Sequence, residues 1–327
     1  MNKPYSIEAL HQKVELAINA LSLTKKPQEL YEPIRYSLAM GGKRIRPVML
    51  LASCNLFNDN VEDALNAAIG LEVFHNFTLL HDDIMDNAPL RRSKPTVHTK
   101  WNNNIAILAG DTMFVKASEL VMQCDDSKLR EVLETYHKTA IEVCEGQQLD
   151  MNFETINNVS IPQYIQMITL KTAVLVAASF KIGAILGGAL PEDAENMYHF
   201  GKNLGIAFQL QDDILDVYGS PDKFGKQIGG DIISNKKTYL LLKALQIADR
   251  YKKEELANWI FAPKFDAIEK VQAVTEIYNY LNIRELAKKE FEKYYVQAFS
   301  YFDKVLVSEE RKFEILSISR SLVGREE

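Results

Sequence analysis

The sequence predicts an all-α protein with a single domain. Apolar residues recur at intervals of three and four positions in nearly every segment, which is the period of one face of an α-helix. The strict alternation of apolar and polar residues that marks a half-buried strand is almost absent. No linker-like run of proline, glycine and serine divides the chain. We therefore expect one helical domain over residues 1–327.

Turn signals separate the periodic segments into individual helices. Gly41 and Gly42 follow the second segment, and Pro89 lies in the loop after the fourth. Ser160 and Gln163 have the spacing of a capping box, which predicts a helix that begins directly after Ser160. The predicted helices cover residues 5–23, 28–40, 47–57, 61–86, 103–123, 127–152, 161–188, 192–218, 236–248, 251–260, 264–281, 283–304 and 308–322.

The composition is that of an ordinary globular protein. Hydrophobic residues make up 47% of the chain and charged residues 25%, so a large core can form. The net charge of −6 argues against a general nucleic-acid-binding protein. Three cysteines without a CxxC pair, and an N-terminus without a continuous apolar core, predict a cytoplasmic protein. The most apolar run, residues 173–190, is interrupted by Lys181, which favours a buried helix over a membrane span.

Two acidic motifs of identical spacing lie on otherwise apolar helices. Asp82 and Asp86 are one helical turn apart, and Asp83 is about 100° away around the same predicted helix. The second copy consists of Asp212, Asp213 and Asp216. One such triplet alone is typical of a solvated acidic patch, but two copies among apolar residues are not. Carboxylates this close repel one another unless a cation or a proton lies among them.

The residue types favour Mg²⁺ as that cation. Mg²⁺ prefers oxygen ligands and takes one or two carboxylates together with phosphate and water. A basic loop rich in glycine or proline follows each acidic motif, and cations opposite a carboxylate–metal pair are a recurrent way to hold a polyphosphate. Further cations at Lys43, Arg46 and Arg92 predict a second phosphate site without metal. His75 lies on the helix stripe of Asp82, where it fits a phosphate contact as well as an ordinary core position.

In order and spacing, the motifs resemble those of the trans-prenyl diphosphate synthases of the short-chain type. They read GGKRIRP, LLHDDIMD, LRRSKPTVH, GQQLD, LKT, FQLQDDILD, FGKQIGGD and NKKT, and they cover roughly residues 35–240. A single DDxxD is a weak signal, whereas the ordered set is specific. The resemblance implies the isoprenoid synthase fold, a helical bundle around a deep central cavity, in a protein that is usually a homodimer.

The resemblance also implies a role for each matching position. The six aspartates would bind three Mg²⁺ ions together with the diphosphate of an allylic substrate, which is dimethylallyl, geranyl or farnesyl diphosphate. The positions that match contacts to this substrate are Arg91, Lys171, Thr172, Gln209, Lys226 and Lys236. Those that match the isopentenyl diphosphate site are Lys43, Arg46, His75 and Arg92. Gln147 and Asp150 match a family element near the active site.

The implied reaction is the head-to-tail condensation of isopentenyl diphosphate with the allylic diphosphate. Mg²⁺ and cations stabilise the charge on the departing diphosphate, so that the allylic C–O bond ionises. The carbocation needs a dry pocket, and the isopentenyl double bond then attacks it. No side chain is an obvious general base, and in the family the released diphosphate is thought to take the proton.

Product length depends in this family on bulky residues shortly before the first acidic motif. The corresponding positions are Phe77 and Thr78, with Phe74 one turn further away. A phenylalanine beside a small threonine, with no insertion between the acids, favours a twenty-carbon product, with fifteen carbons next. An ordinary core role for Phe77 is the alternative.

Four other functions remain open at the level of the sequence. A longer-chain polyprenyl diphosphate synthase would carry the same motifs. A class I terpene cyclase is disfavoured by the intact second acidic motif and by GGKRIRP, and a metal-dependent phosphohydrolase by the absence of a suitable histidine pairing. A non-catalytic partner subunit is disfavoured because such subunits typically lose acids from one motif.

Overall fold

A computed structural model describes residues 4–219 and 228–323 of the chain, without the side chains of residues 321 and 323. It confirms the all-α prediction, since helices form nearly all of the regular structure in these ranges. The helices are α1 (Ile7–Asn19), α2 (Gln28–Ala39), α3 (Ile45–Phe57), α4 (Glu62–Met85), α5 (Val97–Lys100), α6 (Asn103–Val121), α7 (Asp126–Thr155), α8 (Ile161–Ile168), α9 (Val174–Gly187), α10 (Pro191–Tyr218), α11 (Gly230–Ile233), α12 (Tyr239–Ile247), α13 (Arg250–Ile260), α14 (Ala267–Tyr280), α15 (Ile283–Phe302) and α16 (Glu309–Val323).

Short polar side chains begin several of these helices. The side chains of Asn102 and Asp249 accept hydrogen bonds from backbone N–H groups in the first turns of α6 and α13. The predicted capping box at the start of α8 is present: Ser160 accepts from the Gln163 N–H, and the Gln163 side chain accepts from the Ser160 N–H. These bonds satisfy donors that a helix start leaves unpaired.

The predicted continuous helix over residues 161–188 is wrong in its middle. A π-helical turn, Thr169–Ala173, separates α8 from α9. The periodicity of apolar residues continues through this turn, so the pattern does not reveal the change in backbone hydrogen bonding. Such turns are frequent at functional sites, and this one carries Lys171 and Thr172.

A small hairpin forms in the basic loop after α4, where no strand was predicted. Strands β1 (Leu90–Arg91) and β2 (Lys94–Pro95) pair antiparallel. The two residues between them, Arg92 and Ser93, have φ values of 53° and 61°. Positive φ at both central positions is the backbone conformation of a tight hairpin turn, which usually carries asparagine or glycine. The turn therefore has no clear signal in the sequence.

The chain forms two compact units. Of the described residues, unit 1 holds those in 1–137, 178–197 and 306–318, and unit 2 holds those in 138–177, 198–305 and 319–323. This division does not test the expected single domain over residues 1–327, which stays a prediction.

In unit 1, α4 and α6 pack in close contact through small residues. A Cβ atom on Gly70 of α4 would lie 2.7 Å from the Val121 side chain and 2.8 Å from the Ala117 carbonyl oxygen. Ala106 and Ala109 of α6 are fully buried. This contact fixes α4, whose C-terminal end carries the first acidic motif.

In unit 2, a separate apolar cluster surrounds the helix of the second acidic motif. Leu210 and Ile214 of α10 are buried among residues of α8, α12, α14 and α15. The fully buried Leu240 and the nearly buried Ile277 are typical members of this cluster. The acids of α10 thus lie on a helix that is otherwise held by apolar packing.

One described helical stretch, Ile161–Gly187, is long and apolar enough to cross a membrane. Within the protein, 78% of its most apolar window is buried. The stretch is therefore no evidence for a membrane span.

The buried Tyr136 of α7 supports a prediction about stability. Its side chain is 2% exposed, and its hydroxyl has no hydrogen-bond partner among the described residues. We expect Tyr136→Phe to raise the free energy of unfolding by about 1 kcal/mol, because a buried hydroxyl without a partner carries a desolvation penalty. The equally buried Tyr164 donates to Asp213. Tyr164→Phe should instead lower this free energy by about 1–3 kcal/mol. Urea denaturation measures the free energy of unfolding of both variants. An equal decrease in the two would contradict the difference in hydrogen bonding between Tyr136 and Tyr164.

Candidate active site

The first acidic motif forms the C-terminal end of α4. Asp82 is half-buried, Asp83 is 4% exposed, and Asp86 is exposed as the C-cap of the helix. Strand β1 brings Arg91 against the motif: its Nε lies 2.8 Å from Asp83 Oδ1, and its Nη2 lies 3.5 Å from Asp82 Oδ2. Burial raises the pKa of Asp83, and the charge of Arg91 opposes that rise. One guanidinium thus offsets the repulsion between two adjacent carboxylates.

Two of the predicted isopentenyl diphosphate contacts, Arg46 and His75, touch each other in unit 1. Arg46 Nη1 lies 3.0 Å from His75 Nε2. Burial, followed by the charges of Arg46 and Arg92, holds the pKa of His75 well below its usual value. The ring is therefore neutral at pH 7, and its Nε2 accepts from Arg46. Arg46 Nε is buried without a hydrogen-bond partner among the described residues, so one donor of this guanidinium is unsatisfied.

Arg92 completes this group by lying against the glycine turn. A Cβ atom on Gly42 would be 2.7 Å from both terminal nitrogens of the Arg92 guanidinium. Gly42 has a φ of 139°, so the position needs glycine for its backbone conformation as well as for space. Lys43 follows directly and is exposed. We call Lys43, Arg46, His75 and Arg92 the cationic pocket.

A buried ion pair next to the cationic pocket has no counterpart in the sequence predictions. Arg44 is 4% exposed and Glu72 is 3% exposed, and Arg44 Nη1 lies 2.8 Å from Glu72 Oε1. The available signal was weak. Arg44 lies between Lys43 and Arg46, and Glu72 lies one turn before His75, but residue type alone does not reveal burial.

In the second acidic motif, the middle aspartate is also buried. Asp213 is 4% exposed and accepts hydrogen bonds from the Tyr164 hydroxyl and, at 3.2 Å, from Gln209 Nε2. The backbone nitrogen of Tyr239 lies 3.4 Å from Asp213 Oδ2. Burial, aided by the charge of Asp231, raises the pKa of Asp213 to about 7.

The outer aspartates of this motif differ from each other. Asp212 is half-buried, whereas Asp216 is 9% exposed. Asp216 Oδ2 accepts from the Asp231 N–H at 3.0 Å, at the start of α11. The predicted contact Lys236 is exposed, with Nζ 4.0 Å from Asp231 Oδ1. The predicted contact Lys226 lies outside the described residues.

The π-helical turn positions Lys171 and Thr172 in unit 2. Lys171 Nζ lies 2.5 Å from Asp150 Oδ2, and Thr172 Oγ1 lies 3.4 Å from Gln209 Oε1. A Cβ atom on Gly146 would be 2.2 Å from the Lys171 backbone nitrogen, so α7 passes in direct contact with the turn. The GQ-x-x-D element thereby gains a physical explanation. Its glycine permits the contact, and its aspartate, one turn later, pairs with the lysine.

The acids fit Mg²⁺ by donor type but do not form a complete ligand set by themselves. Among the described residues, no three His, Cys, Asp or Glu side chains are close enough together to hold a metal ion. The more accessible carboxylates are those of Asp82, Asp86 and Asp212. Hard oxygen donors of this kind suit Mg²⁺ when phosphate and water supply the other ligands.

The predicted chain-length residues belong to an aromatic group in unit 1. The Phe77 ring centroid lies 4.7 Å from that of His81, 5.4 Å from Phe114 and 5.6 Å from Phe74. Phe74 is fully buried and Phe77 half-buried, while the neighbouring Thr78 hydroxyl bonds back to the His75 carbonyl. Phe114 of α6 was not predicted, because its distance in sequence hides its contact with Phe77.

Comparison with known proteins identifies the family. The family model described as polyprenyl synthetase matches residues 27–280. The geranylgeranyl diphosphate synthase of Methanosarcina mazei is 43% identical over 235 residues, which are 71% of this chain and 72% of that protein. The short chain isoprenyl diphosphate synthase of Methanocaldococcus jannaschii is 42% identical over 77% of each chain.

Solved structures agree with these relatives. A crystal structure of a geranylgeranyl pyrophosphate synthase has a TM-score of 0.93, with 40% identity and full coverage of both chains. That of the Pyrococcus horikoshii geranylgeranyl pyrophosphate synthetase has a TM-score of 0.90, with 34% identity and coverage of 98% and 97%. These matches confirm the resemblance drawn from the ordered motifs and favour it over the cyclase and phosphohydrolase alternatives. The chain belongs to the polyprenyl synthetase family, and it is a prenyltransferase.

Proposed function

We propose that this prenyltransferase condenses isopentenyl diphosphate with an allylic diphosphate and releases an all-trans product of twenty carbons. The observation that carries the proposal is the presence in unit 1 of an acidic motif beside a separate cationic pocket. Asp83, Arg91 and Arg92 line one small cavity, so the two groups adjoin. A condensing enzyme needs two diphosphate sites, whereas a cyclase or a hydrolase needs one.

The acidic motifs bind the allylic diphosphate through Mg²⁺ in this proposal. Bound Mg²⁺ supplies Lewis acidity at the departing diphosphate. Asp82, Asp86 and Asp212 are the accessible donors, while the buried Asp83 and Asp213 support them through their hydrogen bonds. The side chains proposed to contact this diphosphate directly are Arg91, Lys171, Thr172, Gln209, Lys226 and Lys236. Three bound ions, as the family resemblance implies, belong to the same proposal.

The cationic pocket binds isopentenyl diphosphate without metal. Arg46 and Arg92 keep their charge, while His75 is neutral and can donate only one hydrogen bond. The buried Nε of Arg46 supplies a further donor. Fixed guanidinium groups match the oxygens of a diphosphate and need no ion between them.

A twenty-carbon product is supported by the relatives and by the aromatic group below the first motif. Relatives at 37–43% identity include several named geranylgeranyl diphosphate synthases. The fold does not fix the length, since a decaprenyl diphosphate synthase from Rhodobacter capsulatus has a TM-score of 0.86. Phe77, one turn before His81 and packed against Phe114, is the residue we propose as the floor of the chain cavity.

The protein is also proposed to be a cytoplasmic homodimer. Leu108, Val115 and Met122 recur at seven-residue intervals along α6 and its C-cap, and they are 59%, 64% and 52% exposed. An exposed apolar stripe on one helix is typical of a surface that pairs with another chain. A second copy of this chain is the partner that the stripe fits, and the three free thiols suit a reducing compartment.

The proposed function is tested by incubating purified protein with MgCl₂, isopentenyl diphosphate and each allylic primer. We expect a twenty-carbon diphosphate, no product in EDTA, and a kcat about 10²–10³-fold lower in Asp82→Ala, because a charge-stabilising group is lost. Asp63→Asn, an exposed position at the other end of α4, is the matched control and should keep full activity. Failure of every primer, with both substrates recovered intact, would rule out the proposal.

Truncation of Phe77 tests the chain-length assignment. We expect Phe77→Ala to shift the products beyond twenty carbons, because the aromatic ring packed against Phe114 is removed while the residues proposed to contact the diphosphates are unchanged. Chromatography of the dephosphorylated products measures the distribution. Phe313→Ala, at a phenylalanine that is 65% exposed on α16, serves as the control. An unchanged distribution in Phe77→Ala would leave this residue an ordinary core phenylalanine.

A charge in the exposed stripe of α6 tests the dimer. We expect Val115→Glu to convert the protein to monomer, because an interface that buries the stripe would also bury the new carboxylate. Gln12→Glu adds the same charge at an exposed position of α1 and should leave the protein a dimer. Sedimentation equilibrium gives both masses. A Val115→Glu variant that keeps the wild-type mass would contradict this interface.

A further inference from the structure

Each of the three nitrogens of the buried Arg44 guanidinium bonds to another group of the protein. Its Nε lies 2.9 Å from Glu15 Oε1, its Nη1 lies 2.8 Å from Glu72 Oε1, and its Nη2 lies 2.7 Å from the Leu38 carbonyl oxygen. The residue is 4% exposed. A guanidinium enclosed in this way cannot reach a diphosphate without giving up a buried partner.

Its partner Glu72 is held just as firmly. Asn76, 3% exposed, donates from Nδ2 to Glu72 Oε1 at 2.9 Å and to the Glu72 carbonyl oxygen at 2.8 Å. The carboxylate is therefore fixed on the face of α4 that also presents His75, one turn later. Glu72 and His75 thus form a short row directed at the start of α3.

The start of α3 is where the cationic pocket lies. Arg44 is the N-cap of α3, and Arg46 is in its first turn. The contact between Arg44 and Glu72 and the contact between Arg46 and His75 consequently join the same two helices side by side. Burial lowers the pKa of Arg46 and of Arg92, and the negative charge of Glu72 opposes that lowering.

The backbone at Arg44 needs such an anchor, because Arg44 is the residue of this turn that has both a side chain and a positive φ. Gly41, Gly42 and Arg44 have φ values of 79°, 139° and 46°. Positive φ is unfavourable for a residue with a side chain, and it persists where surrounding contacts hold it. The three bonds of the Arg44 guanidinium supply those contacts, and Arg92 rests on the glycine turn that they hold in place.

We infer that Arg44 and Glu72 are positioning residues for isopentenyl diphosphate: the buried pair sets the geometry of Arg46, His75 and Arg92 without touching the substrate. This inference rests on the proposed function of the cationic pocket. It predicts that loss of the pair weakens the binding of isopentenyl diphosphate but not that of the allylic diphosphate. A general role in stability would not produce this difference.

The test compares steady-state kinetics in four variants. Arg44→Met and Glu72→Gln should raise the KM for isopentenyl diphosphate about tenfold, as is typical for loss of a supporting contact. The KM for the allylic primer and kcat should stay within about twofold of wild type, since the acidic motifs are unchanged. Arg44→Lys keeps the charge but not the three-way fork, and its KM should fall in between.

Arg311→Met is the matched control. Arg311 donates from Nη1 to the Asn55 carbonyl oxygen at 2.8 Å and pairs with Asp59, so it has a similar set of partners in the same unit. The variant should lower the melting temperature while leaving both KM values unchanged. Thermal unfolding of all four variants identifies any that fail to fold, and Arg44→Lys keeps the test usable if Arg44→Met does not.

The outcomes are separable. An unchanged KM for isopentenyl diphosphate, or equal rises for both substrates, would overturn the positioning role. A lower KM in Glu72→Gln would do the same, because Glu72 would then compete with the substrate for the pocket. Calorimetric titration with isopentenyl diphosphate alone gives the affinity without turnover. If wild type binds it and makes no product, the proposed function fails, while equal binding by Glu72→Gln refutes the positioning role alone.

Discussion

Repulsion between like charges is the constraint on which the rest of this structure depends. The acidic motifs and the cationic pocket each gather several charges of one sign, and no such cluster holds together in a protein interior without compensation. Arg91 lies between Asp82 and Asp83, and Glu72 lies beside Arg44. The protein therefore supplies part of the compensating charge for each cluster from its own side chains. In the proposed function, each diphosphate enters a site whose geometry is already set, which lowers the ordering cost of binding.

Close helix contacts place these compensating charges. Gly146 lets α7 touch the backbone of the π-helical turn, and Asp150 on the same helix then reaches Lys171. In unit 1, a Cβ atom on Gly110 of α6 would lie 2.2 Å from His81 Nε2. His81 directly precedes Asp82, so the missing side chain at Gly110 allows the end of α4 to pack tightly. At both positions, the glycine contributes by having no side chain, which lets the neighbouring group approach closely.

The sequence was sufficient for the all-α fold class and for the ordered motifs. Both rest on patterns that are local: apolar periodicity for the helices, and acids one turn apart for the motifs. The features that the sequence did not predict depend either on contacts between distant residues or on details of the backbone conformation. The π-helical turn keeps the apolar periodicity of an α-helix, and the turn at Arg92 and Ser93 lacks the usual residues. The pairing of Arg44 with Glu72, 28 positions apart, follows from tertiary packing that no local pattern encodes.

Identical spacing in the two acidic motifs does not make them electrostatically equal. Asp83 is bound by the guanidinium of Arg91, whereas the hydrogen-bond donors to Asp213 are a phenol, an amide and a backbone N–H, all of them neutral. In surroundings of low dielectric, a neighbouring cation stabilises a carboxylate more than neutral donors do. Of the two middle aspartates, Asp83 thus has part of its compensating charge within the protein, and Asp213 relies more on neutral dipoles. The shared spacing places carboxylates on one helix face in both motifs, but the packed neighbours decide the electrostatic field around each carboxylate.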